Sequence, residues 1–208
     1  MSRDNILHRI RTAVGRSAGQ PPAEPPAVRL RVPQVEMEAR VASMIARVEA
    51  LAGRACHTSD PRSVAADVLA GKTSVASNTP VLAKYGITSL PCVRTGISDR
   101  EELRAVCAAA DIGITSADYA LADTGTLVMI SSPEEARLIS LLPPAHLAIV
   151  PRERILSGLD ELFLLVPRPA EQTSSMVLIT GPSRTADIEQ ILVRGVHGPG
   201  QITVVIAD

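Results

Sequence analysis

The chain has 208 residues, 46% hydrophobic and 21% charged, which suits one sizeable globular core and leaves little room for two. Its formal net charge is −1, so no overall field gathers a polyanionic partner; with aromatics at 1% and no Trp, it lacks stacking platforms for single-stranded nucleic acid. Cys56, Cys92 and Cys107 form no C-x-x-C pair, which argues against a disulfide framework, a tetrahedral zinc site or a four-thiolate iron–sulfur cluster held by this chain alone.

The opening residues, MSRDNILHRIRTAVGR, carry charges every few positions instead of a signal peptide's apolar core. No apolar run approaches the ~20 residues of a membrane span. A cytoplasmic protein with reduced thiols is expected. Ile6, Leu7, Ile10 and Val14 predict a short amphipathic helix over 3–14. Pro21, Pro22, Pro25, Pro26 and Pro33 then predict an extended arm, so 1–33 is expected to be a helix and linker ahead of a main domain over 34–208. A helix tethered in this way can dock on a neighbouring subunit, which would make a homo-oligomer. Val35, Val41, Met44, Ile45, Val48 and Leu51 mark one face of a longer helix ending near Gly53.

Beyond residue 54, short β-prone runs alternate with helical stretches. Strands are predicted over 54–58, 73–77, 112–116, 127–131, 147–150, 176–180 and 202–206. Helices are predicted over 61–70, 80–85, 99–109, 133–141, 158–164 and 185–192, with Ser98 and Glu101 as a capping box for the third. The runs LVMIS, LAIV, MVLIT and ITVVIA are apolar throughout, as in strands covered on both faces. The alternation predicts an α/β fold: a three-layer, mostly parallel sheet.

Several segments could carry chemistry. In ADYALADTGT (117–126), Asp118 and Asp123 follow an apolar strand, where open α/β sheets place ligands, and they suit a general base or a hydroxyl acceptor. Thr124, Gly125 and Thr126 complete a tight turn there, and a turn with a capping Asp118 explains the segment as readily. In RLISLLPPAH (137–146), Arg137 could hold an anion or pair with Glu134 or Glu135, and His146 could titrate near neutrality or sit hydrogen-bonded at a strand start. In TGPSRTADIE (180–189), Gly181, Pro182, Ser183, Arg184 and Thr185 lie where a helix start would offer donors to a phosphate or carboxylate, or simply cap itself. RGVHGPG (194–200) reverses the dinucleotide fingerprint and precedes a strand, which excludes a Rossmann NAD site and leaves His197 facing a ligand or a plain turn. Ser77, Asn78, Thr79 and Pro80, after a short strand, could line the same crevice or merely cap the helix begun by Pro80.

ADYALADTGT, RLISLLPPAH, TGPSRTADIE and LVRGVHGP occur in this order and spacing in lactate-utilisation (LUD-domain) proteins, and over roughly 35–208 the chain resembles that family. The resemblance implies a fold like that of the sugar-phosphate isomerase and CoA-transferase superfamily. It also implies a role in oxidising L-lactate to pyruvate with partner proteins that carry the iron–sulfur clusters. It assigns this subunit neither a catalytic residue nor a cofactor. Two functions stand at this point. In one, the chain is a subunit that binds a small anionic or nucleotide-like ligand through Arg137 or Arg184, with Asp118 and Asp123 accepting hydroxyls or a proton. In the other, it is a non-catalytic metabolite-binding or assembly module.

Overall fold

The computed structural model describes residues 2–20, 30–186 and 192–208. In chain order the elements are α1 (Arg3–Ala13), α2 (Met37–Ala50), β1 (Arg54–Thr58), α3 (Pro61–Leu69), β2 (Ser74–Ala76), α4 (Pro80–Lys84), β3 (Val93–Arg94), α5 (Arg100–Ala109) and β4 (Ile112–Ser116). They continue with β5 (Tyr119–Leu121), β6 (Thr126–Ile130), β7 (Ala145–Pro151), β8 (Ile155–Leu156), α6 (Leu159–Leu165), α7 (Pro169–Gln172), β9 (Met176–Thr180), β10 (Arg184–Ala186), β11 (Leu192–Arg194) and β12 (Gln201–Ala207). Among the described residues no helix is long and apolar enough to cross a membrane.

Six strands form a wholly parallel sheet in the order β1-β12-β7-β4-β2-β3. Its centre is buried on both faces. On one side Ile112, Ile114, Leu147, Ile149 and Val205 pack against α3 and α4 through Ala65, Leu69 and Leu82. On the other, Ala148, Val150, Val204 and Ile206 pack against α2 through Val41, Met44 and Val48. The near-continuous apolar runs LAIV and ITVVIA, broken only by the partly buried Thr203, are what such a two-sided burial requires. The expected three-layer, mostly parallel α/β fold is the observed one.

LVMIS and MVLIT lie elsewhere. They form β6 and β9, antiparallel neighbours in a second, four-stranded sheet of order β8-β5-β6-β9. Leu127 and Met129 face the layer containing α2, while Val128 meets Leu162 of α6. Both faces of β6 are therefore covered without membership of the parallel sheet, which is why its pattern reads the same.

Two predicted helices are not formed as expected. The stretch 133–141 contracts to a 3-10 turn, Arg137–Ser140, stopped by Pro143 and Pro144. The carbonyl of Ile139 packs directly on Gly113 of β4, where a Cβ would lie 1.9 Å from it. Over 185–192 the two ends are strands: Arg184–Ala186 pairs antiparallel with Leu192–Arg194, and 187–191 fall outside the described residues. Ser183 explains the change. Its N–H donates to Pro199 O (2.9 Å) and its carbonyl accepts from Gly195 N (3.0 Å), so the chain is committed to a strand-like pairing. The cap of α5 is Asp99, accepting from Glu102 N at 2.8 Å, one residue beyond the expected Ser98. The expected helix at the N-terminus is α1; of the expected arm, Pro21, Pro22, Pro25 and Pro26 lie outside the described residues.

Candidate functional site

From β2 the chain moves outward to β3, whereas from β4 the sheet continues the other way to β7 and β12. The carboxyl ends of β2 and β4 therefore diverge at a topological switch point, the usual place for a ligand crevice in open α/β sheets. A cleft of about 320 Å³ opens there, with Thr79, Ser116, Asp118, Ser132, Glu134 and Arg154 among its walls.

Ser116 of this lining adjoins two further buried polar residues, Ser77 and Glu135; Ser77, Ser116 and Glu135 are exposed by only 1%, 3% and 4%. Ser77 Oγ donates to Glu135 Oε2 at 2.8 Å, and the Ser116 N–H approaches the same oxygen at 3.4 Å. Among the described residues Glu135 Oε1 and Ser116 Oγ have no hydrogen-bond partner. Local sequence delivers Glu135 to this place. Ser132 Oγ accepts from the N–H groups of Glu134 (3.2 Å) and Glu135 (3.0 Å), forming a turn after β6. Asn78 N donates to Glu134 O at 2.9 Å and ties that turn to the end of β2. Burial pushes the Glu135 carboxyl up to about 8; the Ser77 and Ser116 hydrogen bonds pull against this, and the negative charge of Asp118 adds to it. The group is thus an undissociated acid at neutral pH.

Asp118 is half-buried at the start of β5. Its Oδ2 accepts from Ile130 N at 2.7 Å, so it also splices β5 to β6. Burial raises its pKa, opposed by that hydrogen bond and by the charge of Arg154. Arg152, on the same 3-10 turn as Arg154, is instead engaged by Glu38 and Asp208. Arg154 is therefore the cation the cleft can offer to a ligand.

The residues expected from the sequence fall into five places. Asp118 lines the crevice, and Asn78 adjoins it next to the lining residue Thr79. The side chain of Asn78 holds the loop beside it, accepting from Gly96 N (2.7 Å) and Thr95 Oγ1 (3.1 Å) and donating to Ile97 O (3.3 Å). Asp123, Thr124, Gly125 and Thr126 are at the opposite end of the β5–β6 hairpin, against the end of α2. There Gly125 has φ +69°, and a Cβ on it would lie 2.8 Å from Arg47 Cβ. A hydroxyl chain runs from Thr124 through Thr126 to Thr180, with each step 2.8 Å. Gly181 packs on Leu51, and Arg184 donates to Leu51 O, so these residues lie against the C-terminal end of α2. Pro182, Ser183 and Thr185 join the loop that carries the exposed His197. Arg137 is exposed and donates to Ser175 Oγ at 3.2 Å. His146 is buried, 2.8 Å from Thr115 Oγ1 through Nε2, and burial lowers its pKa to about 4, so it does not titrate near neutrality.

Glu135, Ser116 and Arg154 escaped sequence reasoning, whereas Ser77 belongs to the patch expected beside the crevice. Ser132-x-x-Glu135 is the one local signal, since it has the capping-box spacing. Here, though, the glutamate turns inward to Ser77 instead of back to the serine. Among the described residues no group of three or more His, Cys, Asp or Glu is placed to hold a metal ion. Burial raises the pKa of the Cys56 and Cys107 thiols, away from the thiolate a metal would require.

The family model of the LUD domain matches residues 32–207. The chain belongs to the LUD-domain family. Among curated relatives of this LUD-domain protein, lactate utilization protein C 1 of Bacillus mycoides (strain KBAB4) is 35% identical over 150 residues, covering 66% of this chain and 63% of that protein. Lactate utilization protein C of Halalkalibacterium halodurans is 37% identical over 139 residues, covering 63% and 60% respectively. The chain thus spans less than two thirds of the length of these relatives. A crystal structure of a DUF162 family protein from Deinococcus radiodurans aligns with a TM-score of 0.64, at 17% identity, over 84% of this chain and 99% of that one. At that identity the likeness speaks for the fold.

Proposed function

We propose that this LUD-domain protein is a component of an L-lactate utilisation system and binds a small carboxylate in the switch-point crevice. The observation that carries this is the combination of Arg154 with the incompletely satisfied Ser116–Glu135 floor at the carboxyl ends of β2 and β4. The curated relatives named lactate utilization protein C support the pathway. Arg154 binds the carboxylate of lactate or pyruvate, and the hydroxyls of Thr79, Ser116 and Ser132 orient it. Oxidation of lactate to pyruvate releases two electrons and two protons. The electrons pass to iron–sulfur partner proteins; within this chain burial raises the pKa of the Cys56 and Cys107 thiols, away from cluster-ligating thiolates.

The test is a reconstituted assay of lactate-dependent dye reduction with the iron–sulfur partners, alongside direct titration of pyruvate onto the isolated chain. Arg154→Ala removes a charge-assisted contact worth about 2–3 kcal/mol, so affinity is expected to fall roughly 30–150-fold. Failure of the chain to co-purify with an iron–sulfur protein, together with dye reduction indifferent to its presence, would overturn the proposal.

A further inference from the structure

Glu135 is unusual as a buried acid because one of its oxygens is fully engaged and the other is bare. Oε2 takes the Ser77 hydroxyl and the Ser116 N–H, as a carbonyl oxygen does. The proton of the neutral acid then belongs on Oε1, which has nothing to give it to. Ser116 Oγ is also buried and unpartnered, and Ser116 lines the cleft. Buried polar groups are otherwise hydrogen-bonded almost without exception. The two residues are joined by the Ser116 N–H to Glu135 Oε2 contact, so the switch point holds two neighbouring residues that each keep an unsatisfied oxygen.

We propose that Glu135 acts as a neutral carboxylic-acid donor that, together with the Ser116 hydroxyl, receives an anionic or 2-oxo oxygen of the bound carboxylate while Arg154 balances its charge. This rests on the crevice being the binding site proposed above. The ligand class is a small 2-oxo or 2-hydroxy acid; an amine or metal cation is disfavoured, because the group presented to it is a proton donor. The charged group acting on Glu135 is Asp118 at the start of β5, and Asp118, Glu134 and Arg154 are the charged residues lining the cleft. Asp118 and Glu134 would repel an anion, so a third ionised acid, Glu135, leaves no route to tight binding.

Glu135 must keep its proton for the anion to bind. Affinity is therefore expected to be level below about pH 8 and to fall about tenfold per pH unit above the point where Glu135 ionises. The experiment is calorimetric titration of pyruvate from about pH 6 to pH 9.5 on the wild-type chain, Glu135→Gln and Arg154→Ala. Glu135→Gln places an N–H donor without a titratable proton, so the fall above pH 8 is expected to disappear. Isotope-edited infrared spectroscopy of the wild-type protein gives a second readout that needs no variant: the protonated carboxyl band of Glu135 should shift when pyruvate is added at neutral pH. Pyruvate binding that depends on Arg154 but is flat with pH, with an unmoved carboxyl band, overturns this proposal and leaves the crevice assignment standing. No binding at any pH overturns both.

Discussion

Glu135 is where environment and chemistry conflict most, and its stability signature follows directly. Its carboxyl titrates near 4.5 when free and at about 8 in the fold. Between those values the folded chain holds a proton that the unfolded chain has lost. The contribution to stability is therefore complete below about pH 4.5 and is lost as pH rises through about 8. At roughly 1.4 kcal/mol per unit the ceiling is about 5 kcal/mol. Glu135→Gln should remove this slope: its urea midpoint is expected to exceed that of the wild type at about pH 9 and to lose that advantage at about pH 5. Parallel midpoints across the range would show that the group is already ionised. Gly125 makes a different demand. With φ +69° and α2 backbone 2.9 Å from where a Cβ would sit, Gly125→Ala meets both left-handed strain and overpacking. Urea unfolding should show a loss of about 2–4 kcal/mol. A loss under about 1 kcal/mol would mean that α2 yields easily and that this turn is not a fixed joint.

At the scale of elements, sequence legibility followed burial symmetry. Runs such as LAIV and ITVVIA announced their strands because both faces are covered. Tyr119–Leu121 did not, because three residues in a hairpin arm are too short for a period to emerge. The stretch 133–141 looked helical from Leu138, Leu141 and Leu142, yet the approach of the Ile139 carbonyl to Gly113 and the two prolines behind it impose a single 3-10 turn. Both depend on partners distant in sequence. The same holds for the segment after Gly181, where a helix N-terminus would have made Arg184 an anion ligand. As a strand, Arg184 instead caps the last turn of α2 by donating to Leu51 O. Arg184→Ala is therefore expected to lower stability by about 1 kcal/mol in a denaturant titration while pyruvate affinity stays within a factor of two. A tenfold loss of affinity at unchanged stability would restore Arg184 to the binding site.

Across the whole molecule, the crevice was half legible. Asp118 and Asn78 could be placed because they follow β4 and β2, and the carboxyl ends of parallel strands are where such sheets bind ligands. Glu135 and Arg154 could not, because PEEAR and RER read locally as solvated charge, and only the strand order brings them to one place. The core that builds this place owes nothing to the N-terminus. No residue of α1 is buried, and Ile6, Ile10 and Val14 are 45%, 54% and 60% exposed, whereas Val41, Met44 and Val48 of α2 are sealed under the sheet. Hydrophobic stabilisation scales with area removed from water, so α1 contributes almost none of it in this arrangement. A chain lacking residues 1–20 should accordingly unfold at the same urea midpoint as the full chain and bind pyruvate with the same affinity. A midpoint lowered by the equivalent of 2 kcal/mol or more, at dilutions where the full chain is monomeric, would show that α1 packs against its own core. If the loss appears only at concentrations where the full chain self-associates, the apolar stripe of α1 is buried between copies, and the missing stability is that of the assembly.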